Sequence, residues 1–291
     1  MTSYPFFDLL QQHSQFWLVS VALFSLLVGS FLNVVIGRMP NAMHQEWQQE
    51  CRVLLKLTEN DQQSSSPALA SIVWPASHCP SCDVPLKAWH NIPVISYLLL
   101  GGKCAFCNNK ISPRYPLVEL LTSALGVLVA WVLGPSLATA MTLILVYMLV
   151  ALTFIDLDHK LLPDQITLPL MWLGLVINAF GCLTTLADAF WGAVAGYVSL
   201  WLVYWCFRLA TGKQGMGYGD FKLLAALGAW LGWQALPIIV LVSAVAGIVV
   251  GLVLRIRTAQ TDPQMPFGPF LSVGGLVYLL WGAQLWHIFQ P

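Results

Sequence analysis

The chain has 291 residues, 58% of them hydrophobic and only 9% charged, with 13 basic and 13 acidic side chains. Soluble domains carry about 25% charged residues, so a soluble globular protein is excluded, and unbroken apolar runs exclude a β-barrel, whose segments alternate. Zero net charge and the lack of a long basic block exclude a nucleic-acid binder.

The first apolar run, residues 16–36, is long enough to cross a bilayer. No Lys or Arg precedes it, whereas a cleaved signal peptide needs a positive start. It therefore reads as a retained helix with its N-terminus outside.

Residues 37–115 form the only long hydrophilic segment. Within it, 59–71 reads as a flexible or disordered connection. Downstream lie Cys79-Pro-Ser-Cys82 and Cys104-Ala-Phe-Cys107. Two such knuckles suit four thiolates on one tetrahedral zinc. Disulfides, redox pairs or free thiols are the alternatives, and a reducing cytosol disfavours the first. A closed four-cysteine site leaves no open position, so the metal is expected to be structural. His78 and His90 flank the knuckles and read as surface residues. Cys182 and Cys206 read as inert packing residues, and Cys51 has no evident partner.

Apolar runs follow near 116–133, 137–155, 165–181, 187–210, 222–233, 236–254 and 268–289. Counting 222–233 gives about eight transmembrane helices. That run is below spanning length and also reads as re-entrant or tilted. With the N-terminus outside, all 13 basic residues fall on the cytoplasmic side and the opposite loops carry none. The expected architecture is an all-α polytopic membrane protein with a small zinc-stapled cytoplasmic segment between helices 1 and 2. The expected division is 1–36, 37–115 and 116–291.

This topology brings two acid stretches to one membrane face. One is Phe154-Ile-Asp-Leu-Asp-His-Lys-Leu-Leu-Pro-Asp164; the other is the glycine-rich Thr211-Gly-Lys-Gln-Gly-Met-Gly-Tyr-Gly-Asp220. An acid beside hydrocarbon is costly and points to function. Glycines there permit φ > 0 and a close backbone approach. Asp156 and Asp220 suit an aspartyl-protease dyad, in which an ionised carboxylate takes a proton from water and a protonated one bonds the scissile carbonyl. The plainer alternative is that these acids cap helices or face water. Asp164 fits that alternative well, before an apolar run; Asp158 reads equally as a solvated loop acid and Asp188 as a helix cap. No G-x-S-x-G or H-E-x-x-H is present.

Seven stretches taken together resemble the bacterial type IV prepilin peptidases, which are GxGD aspartyl proteases. They are Gly217-Tyr-Gly-Asp220, Ile155–Asp164, Asn91-Ile-Pro-Val-Ile-Ser96, the two cysteine knuckles, Ile111–Glu119 and Gly29–Pro40. Gly-Tyr-Gly-Asp alone is a weak signal; the set, in this order, is specific. The resemblance runs from helix 1 to helix 6 and leaves 43–75 unmatched. It implies a multi-pass protein of the bacterial inner membrane that cleaves the basic leader from prepilins or pseudopilins on the cytoplasmic face. It carries the catalytic pair onto Asp156 and Asp220, with Gly217, Gly219, Asp158 and Asp164 in support. It also implies N-methylation of the new amino terminus from S-adenosylmethionine, and zinc at Cys79, Cys82, Cys104 and Cys107. No glycine-rich fingerprint locates the methyl-donor site. A proton-coupled transporter is the main rival; it predicts acids at the bilayer midplane and inverted repeats, and no repeat is seen.

Overall fold

The computed structural model describes residues 14–55, 76–213, 215–258 and 265–289. The expected flexible connection at 59–71 lies outside them. The helices are α1 (Ser14–Leu54), α2 (Ile95–Leu99), α3 (Arg114–Leu133), α4 (Leu137–His159), α5 (Asp164–Ala179), α6 (Leu186–Thr211), α7 (Tyr218–Leu231), α8 (Leu236–Thr258) and α9 (Gly268–Phe289). Among the described residues there is no strand, only two isolated β-bridges. Five helical segments are long and apolar enough to cross a membrane: α1, α3, α4, α6 and 233–257. The fold is thus all-α and fits a multi-pass membrane protein.

The chain divides into two compact units, Met1–Trp131 and Val132–Pro291. In the first, α1 does not stop where its apolar run ends. It continues through Pro40 to Leu54, because the polar stretch beyond is rich in good helix formers such as Gln, Glu, Arg and Leu. Bonds that tie α1 to α3 include Trp17 Nε1 to the Ala130 carbonyl (3.3 Å), Ser123 Oγ to the Ala22 carbonyl (3.0 Å) and Asn33 Nδ2 to the Tyr115 carbonyl (3.0 Å). Gly29 lets the helices close: a Cβ there would sit 2.8 Å from Glu119 Cα.

In the second unit α7 is the central element. Phe221, Leu223–Ala229 and Trp230 are all buried. A helix of this length spans about 21 Å, less than the ~30 Å hydrocarbon core. Wrapped by protein, it has no need to match the bilayer. Glycines set its fit against α6. A Cβ on Gly228 would lie within clashing distance of the Gly192 carbonyl, and one on Gly196 would lie 2.7 Å from the Leu224 carbonyl.

The helices α5 and α7 run parallel. Lys222 at the start of α7 meets Asp164 at the start of α5. At the other end Asn178 Nδ2 reaches the Ala229 and Trp230 carbonyls (2.9 and 3.0 Å), while Asn178 Oδ1 accepts the Leu183 and Thr184 N–H groups (3.1 Å each). One buried amide thereby satisfies backbone groups at two helix ends. Asp188, expected to cap α6, is not its N-cap; Thr185 holds that position and Asp188 sits in the first turn. Its N–H donates to Thr185 Oγ1 (3.1 Å), Oδ2 accepts from that hydroxyl (2.7 Å), and Oδ1 accepts from Trp233 Nε1 (2.9 Å).

Candidate active site and metal centre

The helix α4 places Asp156 in its last turn, closed by Lys160 in a left-handed conformation whose N–H bonds the Asp156 carbonyl at 2.9 Å. The helix α7 places Asp220 in its first turn, with Gly217 as N-cap. Both acids are buried, at 5% and 6% exposure. They belong to the same unit, and the charge of one acts on the other. The chain separates them by 64 residues; the fold brings them to one end of the helices.

The Asp156 Oδ2 accepts the Gly268 N–H at 2.9 Å. The Gly217 backbone lies beside the Asp220 carboxylate, whose Oδ2 would be 3.8 Å from a Cβ added at 217. Leu162 fills the space beside both. A Cβ on Gly219 would lie 2.8 Å from Leu162 Cβ, and one on Gly268 would lie 3.1 Å from Leu162 Cδ2.

The glycine stretch works differently from the expectation of positive φ. Among the glycines described there, only Gly212 is left-handed, at φ 71°, where it caps α6. Gly215 makes room for the Phe207 ring and Gly219 for Leu162. Gly217 is exposed, and a Cβ there would meet nothing closer than Asp220 Oδ2 at 3.8 Å. Among the described residues nothing demands glycine at 217.

The two remaining acids of the first stretch lie outside this pair. Asp158 and Asp164 are exposed. Asp164 does not act as the N-cap of α5; Pro163 holds that position and makes no side-chain capping bond. Asp164 still sits in the first turn, where its charge complements the helix dipole. Its carboxylate instead takes Lys222 Nζ on both oxygens, each at 2.7 Å. Sequence reading missed Lys222, Leu162 and Gly268. Only Lys222 left a trace, as a charge two positions beyond Asp220 in an otherwise apolar helix.

The first unit holds the four cysteines. Their Sγ atoms all lie within 4.8 Å of one another, and Cys79 and Cys107 are 3.9 Å apart. A tetrahedron of ~2.3 Å zinc–sulfur bonds has edges of about 3.8 Å, so the donor set fits zinc. The two knuckles share one geometry. The Cys79 carbonyl accepts the Asp83 N–H (2.9 Å) and the Cys104 carbonyl the Asn108 N–H (3.0 Å), with Asp83 and Asn108 left-handed at φ 58° and 56°. The Ser81 and Cys82 N–H groups hold the Cys79 thiol down to about 6. Cys82, despite the Val84 N–H that favours its thiolate, is pushed up to about 11 by burial and the neighbouring thiols. A cation among the four would remove that conflict. None of the cysteines is in a disulfide. His78 points to Asp83 (3.7 Å) and His90 packs on Phe106. Cys206, expected as an inert packing residue, is exposed on α6; Cys182 is half-buried.

A third buried acid, Glu119 (7% exposed), lies in the first unit. It accepts the Val94 N–H at 2.8 Å. Val94 has a positive φ of 59° with ψ −48°, unusual for a β-branched residue, and belongs to the Asn91–Ser96 stretch.

Two family models match the chain: the bacterial peptidase A24 N-terminal domain over residues 23–133 and the type IV leader peptidase family over 143–252. Curated relatives named prepilin leader peptidase/N-methyltransferase match nearly end to end. The one from Stutzerimonas stutzeri is 53% identical over 261 residues, 89% of each chain. That from Pseudomonas aeruginosa is 49% identical over 282 residues, 97% of this chain and 96% of its own. The Neisseria gonorrhoeae relative is 48% identical over 283 residues, 96% and 97%. No solved structure matches.

Proposed function

The chain belongs to the type IV leader peptidase family, and from that membership we propose that it removes the leader from type IV prepilins or type II secretion pseudopilins and then N-methylates the new amino terminus. It is an enzyme with two activities, peptidase and N-methyltransferase.

The peptidase chemistry is assigned to Asp156 and Asp220. The observation that carries this is the convergence of two buried carboxylates from separate helices, one of them held by the Gly268 N–H. One carboxylate, ionised, takes a proton from the attacking water. The other, protonated, hydrogen-bonds the scissile carbonyl, and a proton then passes to the leaving amine as the tetrahedral intermediate collapses. Both acids lie near helix ends, where an extended leader at an interface can reach them, and not mid-helix as a proton relay would need. The exposed Gly217 leaves its backbone open to a substrate strand. Asp164 and Asp158 are assigned supporting roles, as are Gly217 and Gly219.

The assigned location is the bacterial inner membrane with eight crossings and the acids facing the cytoplasm. This follows from the one-sided basic residues. Cys79, Cys82, Cys104 and Cys107 would hold zinc, which would staple a segment too small and polar to build its own core. S-adenosylmethionine would supply the methyl group; its site is not assigned.

The test is purified protein in detergent with a prepilin, read by mass spectrometry with and without S-adenosylmethionine. Loss of the leader mass in both conditions, with one methyl added only when the donor is present, is expected. An intact prepilin in both would contradict the reading.

A further inference from the structure

The first turn of α9 comprises Gly268-Pro269-Phe270-Leu271, and Met265-Pro-Phe leads into it. Two separate facts tie Gly268 to Asp156. Its N–H donates to Asp156 Oδ2 at 2.9 Å in a buried setting. A Cβ at Gly268 would lie 2.6 Å from that same oxygen and 3.3 Å from the Asp156 carboxyl carbon. Gly268 is not left-handed, so the backbone conformation does not call for glycine. The carboxylate does, by occupying the space a side chain would take.

The turn that presents this N–H is itself fixed. The Phe267 carbonyl accepts the Phe270 and Leu271 N–H groups (3.1 and 3.2 Å). Ser243 Oγ, fully buried on α8, lies 2.9 Å from the Phe270 carbonyl. Leu162 lies between Gly268 and Gly219, which precedes Asp220. An acid at the end of a helix could otherwise swing about its side-chain bonds. Here the N–H grips one oxygen while Leu162 closes the side.

We propose that Gly268 is a positioning residue of the peptidase reaction: its N–H, and the space left by its missing side chain, hold the Asp156 carboxylate in line with Asp220. This rests on the dyad reading above. A displacement of about 1 Å in a reacting group costs on the order of 100-fold in rate. Alanine at 268 must displace the carboxylate by about that much or be displaced itself.

The experiment compares Gly268→Ala, Gly247→Ala and Asp156→Asn in the full-length protein in detergent. It measures kcat and KM for prepilin cleavage, methylation of an already cleaved pilin, and melting temperature. Gly247 is a helical glycine whose added Cβ would meet only the Phe270 ring, at 3.7 Å, and serves as the neutral control. Gly268→Ala is expected to lose about 100-fold in kcat with KM within about twofold, while methylation and melting temperature stay parental. Parental kcat in Gly268→Ala, with Asp156→Asn inactive, overturns this inference alone. Joint loss of cleavage, methylation and melting temperature also overturns it, because Gly268 would then be a packing residue. Cleavage by Asp156→Asn would sink the dyad reading itself.

Discussion

Asp164 accepts both of its bonds from one ammonium group, and the energetics of that pair set a limit on what its loss can do. Both partners keep solvent access, Lys222 at 27% and Asp164 at 52%, and such pairs are worth about 0–1 kcal/mol. Asp164→Asn should therefore cut cleavage less than about 10-fold, Lys222→Gln should match it, and the double variant should be little worse than either. Initial cleavage rates of the three variants check this; an inactive Asp164→Asn would make that acid a member of the reacting group. Val94 gives a second residue-scale outcome. Its positive-φ backbone stores about 1–3 kcal/mol that glycine would release. Glu119→Ala should lower the melting temperature by leaving a buried N–H unpaired, whereas Val94→Gly should hold or raise it. Asp156, Asp220 and the four cysteines were legible in sequence because an acid beside hydrocarbon and a doubled C-x-x-C are both out of place. Gly268 and Leu162 were not: their role is a tertiary approach, and nothing in Pro-Phe-Gly-Pro states which acid it will meet.

At the scale of elements, the seam between α6 and α7 depends on absent side chains. Gly192 and Gly228 each face the other's backbone within clashing distance of an added Cβ. Alanine at either must push the helices apart, costing about 1–3 kcal/mol. Thermal unfolding in detergent should fall for both, and Gly247→Ala should be neutral or slightly stabilising. A parental melting temperature for Gly228→Ala would mean the helices are not this close. The knuckles make a separate prediction. Replacing Cys79 and Cys104 with serine should abolish zinc binding, measured by metal analysis, and lower yield or melting temperature before it changes kcat. An equally stable metal-free variant would contradict a structural role. Helix existence was legible from apolar run length throughout. The extension of α1 past Pro40 was not, because hydropathy ends at Ile36 while helix propensity continues. The short 222–233 run forms a helix buried by its neighbours, a burial that period and length alone did not reveal.

For the whole molecule, the proposed crossing pattern would bring two acids 64 residues apart to one membrane face, where a substrate helix would expose its leader. The orientation is testable by reporters fused near residue 65 and at the loop following α5. Cytoplasmic activity at the first and external activity at the second are expected, and an externally active reporter near residue 65 would reverse the topology. The proposed pairing of Asp156 with Asp220 was suggested in sequence by this topology and by the family resemblance, since no local motif links the two. The most direct test is the initial rate of leader cleavage for Asp156→Asn, Asp158→Asn, Asp164→Asn and Asp220→Asn at matched membrane expression. An amide cannot exchange the proton the reaction needs, so Asp156→Asn and Asp220→Asn should each nearly abolish turnover, the double variant being hardly worse than either. Asp158→Asn and Asp164→Asn should retain measurable activity. Near-parental cleavage by Asp156→Asn or by Asp220→Asn would contradict the dyad.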